Sequence, residues 1–248
     1  HSFSRRQRQM CIRDSKKNRR NKRSLAVRHI AFIMDGNGRW ADRHGKTRQF
    51  GHEQGSSNVY DIFLSCIELD INTVTFFAMS SENMNRSKEE TEFISILLDD
   101  SIKKHLPDLL DNQVKFKVIG DISHLPKNIR DTIDYAESAT SKFTKYKLNI
   151  AYNYGGQWDV VNSINILMRK KLAISYENLS KYLSTGSDFP DMIVRTGGYK
   201  RLSNFMLWQA AYSELIFLDV LWPEFCSDDV SNILNNYKSI KRKFGKVE

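Results

Sequence analysis

Short apolar runs alternate with helix-length amphipathic segments along most of this chain, and that alternation restricts the fold more than any other feature. Six runs are β-branched or aromatic, as buried strands are, and cover residues 29–34, 73–79, 115–120, 148–152, 192–194 and 215–218. Apolar residues recur at helical spacing in segments 53–69, 88–113, 126–141, 157–172 and 227–243. The pattern predicts a single α/β domain with a central, mainly parallel six-stranded sheet flanked by helices.

The basic charge of the chain is confined to its first 28 residues. They carry a net charge of +10, whereas the remaining residues sum to −1, within a total of +9. We therefore predict a disordered basic extension over 1–27 and a folded domain over 28–248. An extension that is not native, an anionic-surface contact, a targeting segment and a nucleic-acid contact all remain open for 1–27. The near-neutral domain offers no second basic face, so we expect no nucleic-acid partner.

Two absences narrow the class of protein further. No stretch approaches 18 consecutive apolar residues, so no spanning helix is predicted. The three cysteines are too few and too scattered for a disulfide framework or a thiolate metal site, which favours a reducing compartment. The sequence also lacks a P-loop and a dinucleotide-binding glycine motif after the first strand.

The end of the first strand carries residues suited to phosphate chemistry. Asp35-Gly36-Asn37-Gly38-Arg39-Trp40 combines a carboxylate, which Mg²⁺ accepts as a ligand, with glycines that let the backbone approach a ligand closely. A plain strand-to-helix turn is the alternative for this segment alone. Arg43, Arg48 and His52 follow, and clustered arginines favour an anion pocket. His52 is open to three roles: proton carrier, phosphate donor or helix cap.

Two more strand ends repeat this combination. Ser80-Ser81-Glu82-Asn83-Met84-Asn85-Arg86 follows the second strand, and Arg195 to Phe205, with the pair Gly197-Gly198, follows the fifth. Each could be a surface loop on its own, but three strand ends with arginine plus glycine or serine favour a site for two phosphorylated groups. An apolar wall for such a pocket is sought among eight residues, most of which could equally be ordinary core residues: Phe76, Phe77, Met79, Met84, Trp158, Phe205, Trp208 and Tyr212.

Taken in order, these motifs closely resemble the cis-prenyltransferases of the undecaprenyl diphosphate synthase type. The resemblance spans about residues 28–245. Its blocks are His29 to Ala41, Gly51-His52-x-x-Gly55, Ser80 to Asn83 with Arg86, Asn153 to Gly156 with Trp158-Asp159, Arg195 to Gly198 through Arg201 to Phe205, and Glu214-Leu215 to Leu221-Trp222-Pro223.

The resemblance implies an activity and its partners. It implies a homodimer whose sheet encloses a hydrophobic tunnel and which extends an allylic diphosphate, usually farnesyl diphosphate, with several isopentenyl diphosphates, in the presence of Mg²⁺. The long products would be poorly soluble, so a cytoplasmic protein with transient contact to the inner face of the membrane is expected. A catalytically silent binding or regulatory subunit is the alternative.

The resemblance also assigns roles by position. Asp35 and Asn83 are the catalytic candidates, and Asp35 with Glu214 would hold the metal. Asn83 and Ser80 would position the isopentenyl group for proton loss. Ser80, Ser81, Glu82 and Arg86 are all assigned to substrate binding, and Glu82 and Arg86 belong to a mobile loop over the site. Residues for the allylic diphosphate are Gly36, Asn37, Gly38, Arg39, Trp40, Arg48 and His52. Residues for isopentenyl diphosphate are Arg195, Arg201 and Ser203.

The sequence departs from the family pattern at some positions, and one further residue bears on product length. Tyr199 stands where a glutamate is common, which puts the role of that carboxylate in doubt. Lys243-Phe244-Gly245 replaces Arg-x-Gly, so a phosphate contact there would be a weaker point charge. Tyr146, just before the fourth strand, is predicted to lie at the tunnel floor.

Overall fold

Six parallel strands form one sheet in the order β3-β4-β2-β1-β5-β6. A computed structural model of the protein describes residues 27–239. Most of the predicted basic extension, the last residues of the helix predicted over 227–243, and Lys243-Phe244-Gly245 lie outside the described residues. The strands are β1 His29–Ile33, β2 Thr73–Phe77, β3 Val114–Ile119, β4 Tyr146–Ala151, β5 Met192–Arg195 and β6 Glu214–Phe217.

Seven α-helices connect or flank these strands between residues 27 and 239. They are α1 Asn37–Arg43, α2 Arg48–Glu68, α3 Lys88–Asp111, α4 Lys127–Thr140, α5 Gly156–Arg169, α6 Tyr176–Tyr182 and α7 Ser227–Tyr237. Short 3₁₀ turns lie at Ser81–Asn85, Gln209–Tyr212 and Trp222–Glu224. The predicted α/β domain with a six-stranded sheet is confirmed, and every strand pair in the sheet is parallel.

The central strands are buried on both faces, which explains their continuous apolar sequence. Alternate residues of β1 point to opposite sides: Ile30 and Phe32 join a large core with α2, α3, α4 and α7, whereas Ala31 and Ile33 join a smaller one. The smaller core includes Phe205 from the segment after β5. The two faces therefore differ, and the apolar cavity described below lies in the large core.

Helix α2 begins five residues before the predicted start of that segment. The side chain of Thr47 accepts a hydrogen bond from the Phe50 backbone N–H and caps the helix there. As a result Arg48 and His52 lie on the first turns of α2. Because parallel strands need crossover helices, α2 and α3 both run from the carboxyl edge of the sheet back to its amino edge.

The two cysteines in the described part of the chain differ in their exposure to solvent. The free thiol of Cys66 is buried, which raises its pKa, whereas Cys226 is exposed.

Over residues 27–239, no helix combines the length and apolar character that a membrane span requires.

Candidate active site at the carboxyl edge of the sheet

The Asp35 carboxylate lies between two arginines that come from different strand ends. Its Oδ1 accepts from Arg39 Nη2 at 2.9 Å, and its Oδ2 accepts from Arg195 Nη2 at 2.8 Å. Arg195 is almost completely buried, so this ion pair is shielded from water and salt on one side. The first and fifth strands, which are neighbours in the sheet, thus deliver a carboxylate and a buried cation to one point.

The backbone around Asp35 is fixed from the β5 side. The Thr196 hydroxyl donates to the Asp35 carbonyl oxygen at 2.7 Å and accepts from the Asp35 N–H at 3.1 Å. Gly197 has a φ of +83°, and a Cβ there would collide with the Arg39 guanidinium and the Asp35 carbonyl. Arg39 Nη1 donates to the Gly197 carbonyl oxygen at 2.8 Å. A glycine is therefore required at this position by both conformation and space.

Arg195 connects this point to the following loop. Its Nη1 donates to the Arg201 carbonyl oxygen at 2.6 Å and to Ser203 Oγ at 2.7 Å. The buried Nε atom of Arg195 has no hydrogen-bond partner among the described residues. These hydrogen bonds bring together all three residues that were predicted to bind isopentenyl diphosphate: Arg195, Arg201 and Ser203.

A second cluster of cations surrounds Glu90, at the start of α3. Its Oε1 accepts from Arg48 Nε at 3.0 Å and Arg86 Nη1 at 2.8 Å, and lies 3.3 Å from His52 Nε2. Burial opposes ionisation of Glu90, but the Arg48 hydrogen bond and the nearby arginine charges outweigh it and lower its pKa. Burial lowers the pKa of His52 against the attraction of Glu90, so His52 is neutral at pH 7.

The segment after β2 is attached to both neighbouring loops. Ser80 and Asn83 cap each other reciprocally: Ser80 Oγ accepts from the Asn83 N–H, and Asn83 Oδ1 accepts from the Ser80 N–H. The Ser81 N–H donates to the Tyr154 carbonyl oxygen. Glu82 Oε1 accepts from Asn204 Nδ2 at 2.7 Å. This loop is therefore joined to the segment that carries Arg201 and Ser203.

An apolar cavity opens beside these loops and runs into the large core. Its volume is about 120 Å³, and it lies between the sheet, α2 and α3. Asn37 and His52 line its mouth, and Leu109, Phe116 and Leu148 line its deep end. From Ile94 to Leu109 the wall follows α3 for about 22 Å. Burial lowers the pKa of His105, which stacks on Tyr60 in the cavity wall at a centroid distance of 4.1 Å, so this wall residue is neutral too.

Two pairs of arginines, each held by one carboxylate, lie near the mouth of an uncharged cavity. This arrangement suits an amphiphile with an anionic head and a long apolar tail. The arginines can bind phosphate oxygens, and the cavity can hold hydrocarbon away from water. Trp40, also predicted to bind substrate, packs against His44 and Phe50 beside this mouth.

Comparison with known proteins agrees with this geometry. The sequence profile of the prenyltransferase family described as undecaprenyl diphosphate synthase matches residues 33–245, which is most of the chain. The chain belongs to this family of cis-prenyltransferases.

Individual relatives are similar over nearly their whole length. A farnesyl-diphosphate-specific ditrans,polycis-undecaprenyl-diphosphate synthase of Buchnera aphidicola is 43% identical, over 88% of this chain and 90% of that protein. A geranylgeranyl-diphosphate-specific tritrans,polycis enzyme of Thermoplasma acidophilum is 41% identical, over 88% and 89%. The crystal structure of lavandulyl diphosphate synthase from Lavandula x intermedia, in complex with dimethylallyl diphosphate, superposes with a TM-score of 0.84 at 32% identity, over 89% and 99%. The chain is thus a prenyltransferase, and these relatives differ in the allylic diphosphate for which they are named.

One predicted metal ligand does not reach the site. Glu214 is the first residue of β6 and is level with Met192 and Ile30, at the amino edge of the sheet. Asp35 follows the carboxyl end of β1, so the two are separated by about 10 Å of strand before the turn to Asp35 begins. Glu214 therefore cannot complete a metal site with Asp35 of the same chain. Residues 27–239 contain no group of three or more His, Cys, Asp or Glu side chains arranged to hold a metal.

The predicted apolar wall was also wrong. None of its eight residues lines the cavity. Phe77 and Phe205 stack on each other at 4.3 Å in the smaller core, on the opposite face of the sheet, while Phe76 is buried in the large core. Tyr146 packs against the large core but does not line the cavity, whose deep end is formed by Leu109, Phe116 and Leu148. Aromatic content alone could not indicate which face of the sheet is hollow.

Two residues of the site were missed in the sequence. In the sequence, Glu90 shows only a capping-box spacing with Ser87. Its backbone N–H does donate to Ser87 Oγ, but its carboxylate turns to the arginines instead of closing the box. Asn204, within the resembling block, links Glu82 to the Gln157 N–H. The signal that could have directed attention to Glu90 is its position four residues after Arg86, a spacing at which the two side chains can pair.

Proposed function

We propose that this prenyltransferase condenses an allylic diphosphate, with farnesyl diphosphate as the primer, with several isopentenyl diphosphates to a long, undecaprenyl-like polyprenyl diphosphate. The observation that carries the proposal is the Asp35–Arg39–Arg195 cluster beside a long uncharged cavity. The 43% identity to a farnesyl-specific relative supports the choice of primer.

The two substrates occupy neighbouring halves of the site in this proposal. The allylic diphosphate binds Arg39, Arg48 and the amides of 36–39, with its tail in the cavity. Isopentenyl diphosphate binds Arg195, Arg201 and Ser203, which are already joined by hydrogen bonds. Ser80 and Asn83 orient its alkene. Holding both substrates in one geometry replaces a bimolecular encounter by a reaction between neighbours.

Charge develops on the allylic diphosphate as its C–O bond breaks, and the preorganised guanidinium groups stabilise that charge. The uncharged cavity keeps the allylic cation away from water until the isopentenyl alkene attacks it. The diphosphate freed by this C–O cleavage leaves as inorganic diphosphate. Loss of a proton from the extended chain, to the freed diphosphate or to water, then forms the new double bond. Neutral His52 donates or accepts a hydrogen bond at the mouth without adding charge.

A magnesium ion fits the donor set of this site. Mg²⁺ is usually held by one or two carboxylates together with substrate phosphates, and Asp35 is one carboxylate among phosphate-binding arginines. When bound, the ion would act as a Lewis acid on the leaving diphosphate. Asp35 would hold it, and diphosphate oxygens would complete its coordination.

We further propose that the protein is a homodimer formed at the β6 edge of the sheet. Leu215 on β6 and Tyr212 just before it are large apolar side chains with 45% and 70% of their surface exposed. An edge strand with exposed apolar residues favours pairing with another chain. A long polyprenyl product is poorly soluble, so its release would involve transient contact with a membrane surface.

Incorporation of radiolabelled isopentenyl diphosphate into extractable polyprenyl products tests the function. Farnesyl, geranyl and geranylgeranyl diphosphates are compared as primers with and without Mg²⁺. Asp35→Ala should lower the rate by at least about 100-fold. If the folded protein gives no product with any primer, and Asp35→Ala is equally inert, the catalytic proposal is wrong and the silent-subunit alternative is favoured.

A further inference from the structure

The ring of Tyr199 faces three guanidinium groups of the active site. The Cζ atoms of Arg201, Arg39 and Arg195 lie 4.1, 4.8 and 5.9 Å from its centroid. All three distances are within the range of cation–π attraction. The ring keeps 44% of its surface exposed, so it forms part of the wall of the site and is not a core residue.

The backbone places Tyr199 in this position. Gly197 and Gly198 precede it with φ values of +83° and +80°, which glycine adopts without strain. Their N–H groups donate to the carbonyl oxygens of Val220 and Leu218, both at 2.8 Å. The turn that presents the ring is therefore fixed to the segment after β6, and the ring can serve as a support for flexible side chains.

The three arginines depend on the ring to different degrees. Arg39 and Arg195 are each also held by an oxygen of Asp35. Within the described part of the chain, Arg201 has no carboxylate within ion-pairing distance, and its recorded side-chain contact is the Tyr199 ring. Arg201 therefore loses the most orientation if the ring is removed.

An aromatic ring holds a cation without neutralising it. A carboxylate at this position would form ion pairs with the same arginines and would compete with a diphosphate for them. The ring instead leaves their positive charge available. We propose that Tyr199 is a positioning residue for isopentenyl diphosphate, acting through Arg201, with an electrically neutral ring in place of a carboxylate. This inference rests on the proposed binding role of Arg201.

The test measures isopentenyl diphosphate binding by calorimetry without an allylic substrate, and KM and kcat in the complete reaction. Tyr199→Leu and Tyr199→Gln should each weaken binding and raise the KM for isopentenyl diphosphate about three- to tenfold, with kcat changed less than KM. Tyr199→Phe keeps the ring and should restore both values to within about twofold. Tyr135→Leu is the matched control, because Tyr135 is 66% exposed on α4, and it should change neither.

A double-mutant cycle with Arg201→Ala separates this inference from the proposed function. If the ring acts through Arg201, then Tyr199→Leu causes little further loss in the Arg201→Ala background. If Arg201→Ala weakens binding but Tyr199→Leu does not, the positioning role is wrong and the binding site stands. If Arg201→Ala itself leaves binding unchanged, the proposed subsite is wrong and the inference fails with it. Equal losses in Tyr199→Phe and Tyr199→Leu would also overturn it, since the hydroxyl and not the ring would then matter.

Discussion

At the scale of single residues, two carboxylates hold the site together, because each forms ion pairs with two arginines from different segments of the chain. Asp35 joins Arg39 to Arg195, and Glu90 joins Arg48, Arg86 and His52. Without its acid, each cluster would leave two arginines close together with no negative charge between them, and their positive charges would repel each other. A diphosphate can replace these contacts, because it offers several oxygens to the same arginines. The free protein thus holds its arginines ready in a geometry suited to an anion.

The arrangement around Asp35 predicts that a divalent cation binds weakly until a diphosphate is present. Both oxygens of Asp35 already accept hydrogen bonds from arginines, so a cation must displace them. Inorganic pyrophosphate should release the arginines and supply oxygens of its own. We expect the affinity for Mn²⁺, measured by the loss of its free electron paramagnetic resonance signal, to rise about tenfold or more when pyrophosphate is added.

Asp35→Asn is the control in that titration, because it retains the shape of the side chain and removes its charge. The variant should show only the Mn²⁺ binding that pyrophosphate provides by itself. Tight Mn²⁺ binding to the wild-type protein without pyrophosphate, abolished by Asp35→Asn, would contradict the prediction.

At the scale of elements, α2 and α3 carry the cavity away from the site. They begin at the carboxyl edge, where their first turns supply Arg48, His52 and Glu90, and they end at the amino edge beside the deep end of the cavity. In the proposed function, the same two helices bind the anionic head and enclose the apolar tail. We therefore expect product length to depend on how far the tail can advance along them.

A larger side chain at Ala78 should shorten the products. Ala78 lines the cavity just after β2, close to the carboxyl edge, so a leucine there would obstruct the growing chain early. We expect Ala78→Leu to shift the products to shorter polyprenyl chains, resolved by reversed-phase chromatography, at a stability change of about 1 kcal/mol. Ala139→Leu on α4, outside the cavity lining, should leave the distribution unchanged. An unaltered distribution in Ala78→Leu would mean that the tail does not follow this cavity.

A network of hydrogen bonds and ion pairs around Asp188 links the amino ends of β1, β2 and β4. Asp188 Oδ2 accepts from Thr73 Oγ1 on β2 and Lys147 Nζ on β4, and its Oδ1 lies 3.5 Å from His29 Nδ1 on β1. Burial of Asp188 raises its pKa, but the contacts with His29 and Lys147 outweigh burial and leave the pKa well below its usual value. Three parallel strands therefore share one ionised carboxylate.

This network predicts a loss of stability in acid. Because the pKa of Asp188 is lower in the folded than in the unfolded chain, its contribution is present above the unfolded value of about 3.9 and is lost as the pH falls below it. The free energy of unfolding, from urea titrations between pH 6 and pH 3, should fall more steeply in the wild type than in Asp188→Asn. Asp131→Asn, in an exposed pair with Lys127, should follow the wild-type slope. Identical slopes for all three proteins would exclude a role for Asp188.

At the scale of the whole molecule, the sheet has two unlike ends. β3 at one end is covered by α4, whereas β6 at the other is an edge strand with exposed apolar side chains. If two copies meet at β6, Leu215→Lys should shift the protein to monomer in analytical ultracentrifugation, because a charge would be buried without a partner. Leu69→Lys introduces the same change at a similarly exposed leucine at the end of α2 and should leave the association state unchanged. A Leu215→Lys protein with wild-type mass in solution would place the interface elsewhere.

The sequence by itself determined the class of fold and the motifs of the site. Strand and helix periods are local properties, so the alternation of apolar runs with amphipathic segments was sufficient for a parallel α/β domain. The same holds for the placement of Asp35, Arg39, Arg195 and Ser203 at strand ends. A family resemblance carried by contiguous blocks then assigned the chemistry, and the profile match over residues 33–245 confirmed the family.

Only the tertiary structure decided which of these residues contact one another and where the apolar cavity lies. Glu214 was placed with Asp35 by motif, yet strand register puts it at the opposite edge of the sheet. Glu90 and Tyr199 joined the site because separate segments converge on the arginines, which no local pattern encodes. The cavity lies on one face because small differences in packing between α2, α3 and the sheet leave space there. Register, convergence and packing depend on contacts between residues far apart in sequence, and those contacts form only when the chain folds.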